Sequence, residues 1–370
     1  SPNERPSTTC LTIIQFEALR GTTMEILVWL ALPAALLIYL IVVVFFPGFD
    51  FPQSRLALMG QGHSPAPALP FRQDIQFQVE GATLYGWFYQ ASAESAPCIV
   101  MATGLGGTRE MGLEALAIQF REHGYHCLTF DYRHFGASEG QPRNLVWPRL
   151  QLEDLRGALQ WAGSRSEIES AFIWGASAGG SYGIILAAEQ DRFPLWPLIQ
   201  GVVCQVPALD TKSELKGMIR RNGLPRFLRL IMHAQRDRGR GRLGLSPHYI
   251  PMVASGKGFA MLQGPGAEEG YASLASGRFE NRICARSMLM PPPPQALSLA
   301  GKVHCPVLIQ LASHDGLISP EGHQEVAKKL ASCEIKVYEG GHFDLYLPPL
   351  SNRVVADQLD FFARCLNPKG

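Results

Sequence analysis

The sequence predicts an α/β protein built on a mostly parallel sheet, and three observations carry that prediction. Short apolar runs of strand length alternate with amphipathic stretches of helix length from about residue 75 onward. That is the pattern of βα units whose helices cover both faces of a sheet. The alternation stops between about Leu209 and Ala300 and then resumes, which marks an insertion into the fold. Within the alternating part, "FIWGASAGGSYG" (Phe172–Gly183) places a serine between glycines, directly after an apolar run and before a helix-forming stretch.

The elements follow in order. Ile26–Phe46, "ILVWLALPAALLIYLIVVVFF", is 21 residues without a charge. That is long enough to span a bilayer and too long for the apolar region of a signal peptide. Residues 24–48 are therefore expected to be an uncleaved transmembrane anchor, and residues 1–23 an N-terminal extension. Met24 is a candidate start, which would leave 1–23 as upstream translation. Arg5 and Arg20 precede the span and Arg55 follows it. With Met24 as the start the basic side becomes the C-terminal one, and the catalytic domain is expected in the cytoplasm. Residues 49–74 read as a linker, stiffened by "HSPAPALP". "IQFQVEGATLYGWFYQ" alternates around "EGA" as an antiparallel hairpin. "CIVMATG", "CLTFDYR", "AFIWG" and "GVVCQVP" are buried strands, separated by helices over Glu110–Gly124, Arg149–Ala162 and Ala178–Gln190. This first part of the core covers 75–208, the lid insertion 209–300, and the second part 301–370. In the second part "PVLIQLAS" and "EIKVYEG" are strands, and Pro320–Leu330 and Asn352–Cys365 are helices.

Composition agrees with a folded core: of 370 residues 46% are hydrophobic and 18% charged, which excludes a largely disordered chain. A net charge of +1 gives no global signal for nucleic acid. The eight cysteines form no CxxC pair and no zinc spacing. Several sit inside apolar strands and read as buried free thiols, a usage more common in reducing compartments. His123 and His126 straddle a helix end and a strand start, so they diverge and do not suggest a metal. No cofactor is called for.

Gly175-Ala176-Ser177-Ala178-Gly179 fits G-x-S-x-G in the strand–turn–helix setting that a nucleophile elbow requires. A serine hydroxyl is a poor nucleophile until a base takes its proton, and the base needs a carboxylate to orient it. Asp315, in "LIQLASHDGLISP", and His342, in "KVYEGGHFDLY", follow the last two strands, where open α/β sheets gather their functional loops. Asp344 is the alternative acid, though two residues from His342 its approach is awkward, and His314 is expected to point away. Acyl chemistry also needs backbone N–H groups at the developing oxyanion. Ala178 would supply one. The loop "TGLGGTREMG" would supply the other, from Leu105 or, as second choice, Gly106. This loop lacks the Gly-Lys-Ser/Thr ending of a phosphate cradle.

Together "GLGGTREMGL", "FDYRHFGASEGQPR", "WGASAGG", "CPVLIQLASHDG" and "GGHFDLY" resemble the α/β-hydrolase superfamily, over about Ile75 to Leu366. The branch that is most similar contains bacterial α/β-fold hydrolases and fungal polyketide transferases. The resemblance implies an α/β-hydrolase fold with an eight-stranded, mostly parallel sheet and a Ser177–Asp315–His342 triad. It also implies that Asp131 braces the oxyanion loop rather than acting as the acid. Where the family's loop usually reads His-Gly, this chain has Thr103-Gly104, which puts the geometry of the oxyanion site in question.

The insertion is basic. Thr211–Arg242 holds ten lysines and arginines against Glu214 and Asp237. Leu224, Phe227, Leu228 and Ile231 fall at i, i+3, i+4, i+7 and are expected to form an apolar stripe. Arg226, Arg229, His233 and Arg236 mark the other side. Three uses fit such a helix: a lid lying on anionic lipid, a dock for an acidic carrier protein or coenzyme A, or a cover for the active site whose charges are simply solvated. The expected activity is hydrolysis of a small-molecule carboxylic ester or thioester through an acyl-enzyme. Acyl transfer with the same triad, a serine peptidase and a non-catalytic binding protein are the alternatives.

Overall fold

A computed structural model describes residues 29–45, 51, 69–256, 258–275 and 279–367. The chain divides into two units, residues 1–49 and 50–370. In the first, residues 29–45 form one helix (α1) whose side chains are mostly exposed. The expected transmembrane helix over Ile26–Phe46 is not found: among the described residues no helix is long and apolar enough to cross a membrane. The expected span also runs into residues 26–28 and 46, and these, the extension 1–23 and most of the linker lie outside the described residues.

The second unit is built on one sheet. Its eight strands are β1 (Arg72–Val79), β2 (Ala82–Tyr89), β3 (Ala96–Ala102), β4 (His126–Phe130), β5 (Ile168–Ala176), β6 (Ile199–Gln205) and, after the insertion, β11 (Val307–Ala312) and β12 (Cys333–Tyr338). Their order is β1-β2-β4-β3-β5-β6-β11-β12. β1 and β2 form the expected hairpin, and β2 runs antiparallel to β4. Every other pairing in the sheet is parallel.

Side chains alternate faces along each strand, and both faces are covered. In β5, Ala171 and Ile173 join the core made with α3 (Pro148–Gly163) and α4 (Ala178–Ala187). Phe172, Trp174 and Ala176 point the other way, into a core shared with Leu116 and Phe120 of α2 (Leu113–Glu122). Phe362 of the closing helix α10 (Leu350–Leu366) completes that layer, 4.7 Å from the Phe172 ring. Strands buried on both faces have to be apolar throughout, which is why these runs read as continuous rather than alternating.

The insertion is only partly helical. Helices α5 (Thr211–Asn222) and α6 (Leu224–Arg242) are followed by short strands β7 (Tyr249–Ile250), β8 (Val253–Ala254) and β9 (Leu262–Gln263). Next come α7 (Ala267–Leu274), strand β10 (Ile283–Cys284) and α8 (Ala296–Leu299). β7 pairs with β10 and β8 with β9, outside the main sheet. The last short helix, α9 (Glu321–Ala327), lies between β11 and β12.

The stripe expected on α6 holds only in part: Phe227 and Ile231 are half-buried and Arg229 is exposed, as expected. Leu224 and Leu228 are more than half exposed, while His233 and Arg236 are buried. The reason is a polar cluster beneath the helix. Arg236 Nε donates to His248 Nδ1 at 3.3 Å, and the His233 and His248 rings share a hydrogen bond of 2.8 Å. Asp237, also buried, accepts the N–H groups of His248 and Arg286. A hydrophobic period identifies two faces of a helix, but partners elsewhere in the chain decide which one is buried.

Candidate active site

Ser177 stands at the turn between β5 and α4 with φ 50° and ψ −114°, a conformation that costs a non-glycine residue energy. The turn is possible because its neighbours are small. A Cβ on Gly175 would lie 2.3 Å from the backbone of Gly179, and one on Gly179 would lie 2.5 Å from the Ala102 carbonyl oxygen. Strand and helix thus approach to backbone contact, and the serine is pushed out at the C-terminal edge of the sheet.

The expected acid and base converge although they are 27 residues apart: His342 Nδ1 lies 2.8 Å from Asp315 Oδ2. The other carboxylate oxygen of Asp315 accepts the N–H groups of Leu317 (2.8 Å) and Ile318 (3.0 Å). Burial pushes the Asp315 carboxyl up, but the imidazole and the two N–H groups outweigh it and hold it below the usual aspartate range. It is therefore a carboxylate at neutral pH. Among the described residues no hydrogen bond joins the Ser177 hydroxyl to His342. Ser177 and His342 do line the same cavity, of about 260 Å³, just below the ~300–1,000 Å³ usual for ligand sites.

The alternatives are placed elsewhere. Asp344 Oδ2 accepts the Gly341 N–H at 2.8 Å and so shapes the loop that carries His342. His314 is exposed and lies beside Ser313 and Glu339. His126 accepts the Ala91 N–H, while His123 Nδ1 sits on the Gln119 carbonyl of its own helix.

Leu105 and Ala178 both face the cavity. As the first residue of α4, Ala178 has an N–H with no intrahelical acceptor, at the positive end of the helix. Gly104 packs against the elbow, and a Cβ there would lie 3.1 Å from Ser177 Cβ. Gly106, with φ +65°, turns away toward the lid, where a Cβ would lie 2.3 Å from the Met252 sulfur. Of the two, Leu105 lines the cavity and Gly106 does not.

The loop is buttressed at three points. Thr103 Oγ1 donates to the Gly107 carbonyl at 3.2 Å, so the threonine closes the loop itself. Asp131, fully buried, accepts the N–H groups of Arg109 (2.8 Å) and Ala137 (2.9 Å) and lies 3.7 Å from the Arg109 guanidinium. It is a brace, as expected. Tyr271 of α7 donates to the Leu105 carbonyl at 2.7 Å. That contact spans 166 residues, and nothing in the local sequence of either residue announces it.

The rest of the cavity wall is largely hydrocarbon and sulfur, including Met111, Met218, Met261, Leu274, Ile318 and Phe343. Its charged members are Glu214 and Arg221, both on α5. Burial raises the Glu214 carboxyl to about 7.

A strained serine on a strand–helix turn and a carboxylate-bound histidine lining the same cavity are the features of a serine-hydrolase-type site. Comparison with known proteins agrees. The model of the serine aminopeptidase family S33 matches residues 88–242. The quorum-quenching protein AidA of Acinetobacter baumannii is 34% identical over 316 residues, 84% of this chain and 100% of its own length. The polyketide transferase GrgF of a Penicillium species is 32% identical over 191 residues, 51% of this chain and 59% of its own. The crystal structure of GrgF superposes with a TM-score of 0.63 at 25% identity, covering 80% of this chain and 99% of that one. The chain belongs to the α/β-hydrolase family.

Proposed function

We propose that the protein cleaves carboxylic esters or thioesters through an acyl-enzyme on Ser177. The observation that carries this reading is the 2.8 Å pairing of His342 with the half-buried Asp315 carboxylate, beside the cavity that the strained Ser177 lines. Ser177 Oγ attacks the acyl carbon while its proton passes to His342 Nε2. The imidazolium so formed is stabilised through Nδ1–H by Asp315 Oδ2. The N–H groups of Leu105 and Ala178 take up the negative charge on the former carbonyl oxygen. Collapse breaks the bond to the leaving alcohol or thiol, which receives the proton from His342. Water, deprotonated by the same imidazole, then releases the acid and restores Ser177. No metal or cofactor enters this scheme.

Acyl transfer is the second reading. It is supported by the largely apolar cavity wall and by relatives named as polyketide transferases; there the acyl-enzyme goes to an alcohol or amine in place of water. The peptidase reading gains little from Glu214, the carboxylate that lines the cavity among the described residues. It is occupied by a backbone N–H and lies beside Arg221.

We also propose that the catalytic unit works at an anionic membrane surface. Support comes from exposed Leu215, Leu224 and Leu228 on the two lid helices, interspersed with exposed Lys212, Lys216, Arg220 and Arg229. The exposed apolar side chains of α1, taken by themselves, also support association with a membrane. An acidic carrier protein would use the charges but has less need of the leucines. The reading keeps the catalytic unit in the cytoplasm, consistent with free thiols at Cys305, Cys333 and Cys365.

Labelling with a fluorophosphonate probe tests the catalytic claim. The wild type should be labelled on Ser177 and Ser177→Ala should not; an unlabelled, folded wild type would contradict it. Cosedimentation with phosphatidylserine vesicles tests the surface claim. It should fall when Leu224 and Leu228 are changed to serine, and binding unchanged by that substitution would contradict it.

A further inference from the structure

Between β11 and α9, residues 315–319 carry the acid of the proposed triad. Their backbone N–H groups are shared between two carboxylates. Asp315 takes those of Leu317 and Ile318. The next one, from Ser319, goes to Glu214 on the inserted helix α5, at 3.1 and 3.2 Å from its two oxygens. Two helical turns further along α5, Arg221 Nη2 donates to the Leu317 carbonyl at 2.6 Å, and Nη1 lies 3.3 Å from Ser319 Oγ. Between them stands Gly217, where a Cβ would lie 1.9 Å from Ser319 Oγ. Residues 214, 217 and 221 are spaced i, i+3, i+7 and so form one face of the helix. The whole of that face is given to the acid loop: an acceptor, a gap that admits the loop, and a donor.

We propose that Glu214 is a positioning residue for Asp315, through which the lid fixes the loop that orients the catalytic histidine. The proposal rests on the reading of Asp315 as the acid of the triad. With the Ser319 N–H anchored on the lid and the Leu317 and Ile318 N–H groups on Asp315, the carboxylate is left one oxygen, Oδ2, and one direction in which to present it, toward His342. Release of Ser319 would let the turn relax and the Asp315–His342 bond lengthen. Met218 and Asn222 of the same helix line the cavity, so a substrate that displaces α5 would be felt at the acid. The charged groups facing Glu214 are Arg221 on its own helix and Asp315 on the loop. On α9, Glu321 is paired with Arg220 and His323 bonds to the Pro207 carbonyl. The raised carboxyl of Glu214 is consistent with burial against the loop, and a backbone N–H is accepted by either protonation state.

The test is steady-state kinetics on a p-nitrophenyl ester, with the pH dependence of kcat/KM, for wild type, Glu214→Ala, Glu214→Gln and Asp315→Asn. Glu214→Ala should lower kcat about tenfold, as expected for one lost hydrogen bond, with KM within about twofold. It should also shift the acid limb of the pH profile, because a displaced carboxylate supports the imidazolium less. Glu214→Gln retains an acceptor oxygen and should recover most of kcat. A purely structural role would lower Tm and leave the acid limb in place. Should Glu214→Ala fold poorly, Gly217→Ala forces the same loop away with the carboxylate intact and should lower kcat likewise. Normal kcat and pH profile in Glu214→Ala, or in Gly217→Ala, beside a strongly impaired Asp315→Asn would overturn the proposal and leave the triad standing. A fully active Asp315→Asn would remove the triad reading itself and the proposal with it.

Discussion

Asp315 and His342 meet through a single 2.8 Å hydrogen bond between the loops that follow two adjacent parallel strands. One carboxylate oxygen is committed to the imidazole and the other to the backbone of its own loop. An amide at this position could satisfy the loop or the histidine, but would offer the imidazole the wrong partner in one of its two orientations. Asp315→Asn should therefore fold normally and lose ~10³–10⁴ in kcat, the order expected when the histidine is held in the wrong tautomer. Circular dichroism and ester turnover check the two halves of this statement.

Tyr271→Phe removes the hydroxyl that holds the Leu105 carbonyl at 2.7 Å and leaves the ring in its packing against Phe343. The loop then loses its tie to the lid, and the Leu105 N–H loses part of its orientation. A fall in kcat of about five- to tenfold with KM little changed is expected. A change in KM alone would place Tyr271 in substrate binding instead.

Asp131→Ala should act on stability. The carboxylate is buried and accepts two backbone N–H groups, and its removal strands them together with the Arg109 guanidinium. A loss of about 3–5 kcal/mol follows from breaking such a buried pair. Urea denaturation measures it.

Glu214 predicts a pH dependence of stability. Its carboxyl is raised by burial from 4.5 to about 7 in the folded state. Between those two values the folded protein binds a proton that the unfolded chain does not, so the contribution of this group falls as pH rises through that window. Glu214→Gln abolishes the titration. Its Tm relative to wild type should be higher at pH ~8 than at pH ~5, by an amount corresponding to at most about 3 kcal/mol.

Much of this was legible in the sequence where one residue and its immediate neighbours carry the information. The strands β3 to β6 read as unbroken apolar runs because both faces are buried, and the elbow reads as G-x-S-x-G because backbone contact at Gly175 and Gly179 admits no side chain. Asp315 and His342 could be named from their places after strands. Less legible was whatever depends on distant partners. The α6 stripe gave the right period and a face rotated from the buried one, since His248 draws His233 and Arg236 inward. Tyr271 and Glu214 reach the site across 166 and 105 residues respectively, with no local pattern to mark them. In hindsight the one available signal was a glycine between Glu214 and Arg221 on a single helical face. The apolar leader met the length criterion for a span on composition, while among the described residues no helix is long and apolar enough to cross a membrane.

The central claim is that Ser177 becomes acylated. The most direct measurement mixes the catalytic unit rapidly with p-nitrophenyl esters of increasing chain length and follows nitrophenol release, with intact mass taken on the quenched protein. The account predicts a burst of one nitrophenol per enzyme and a mass gain equal to the acyl group on the peptide bearing Ser177, both absent in Ser177→Ala. Turnover without any acyl adduct, or an adduct that survives in Ser177→Ala, would contradict it.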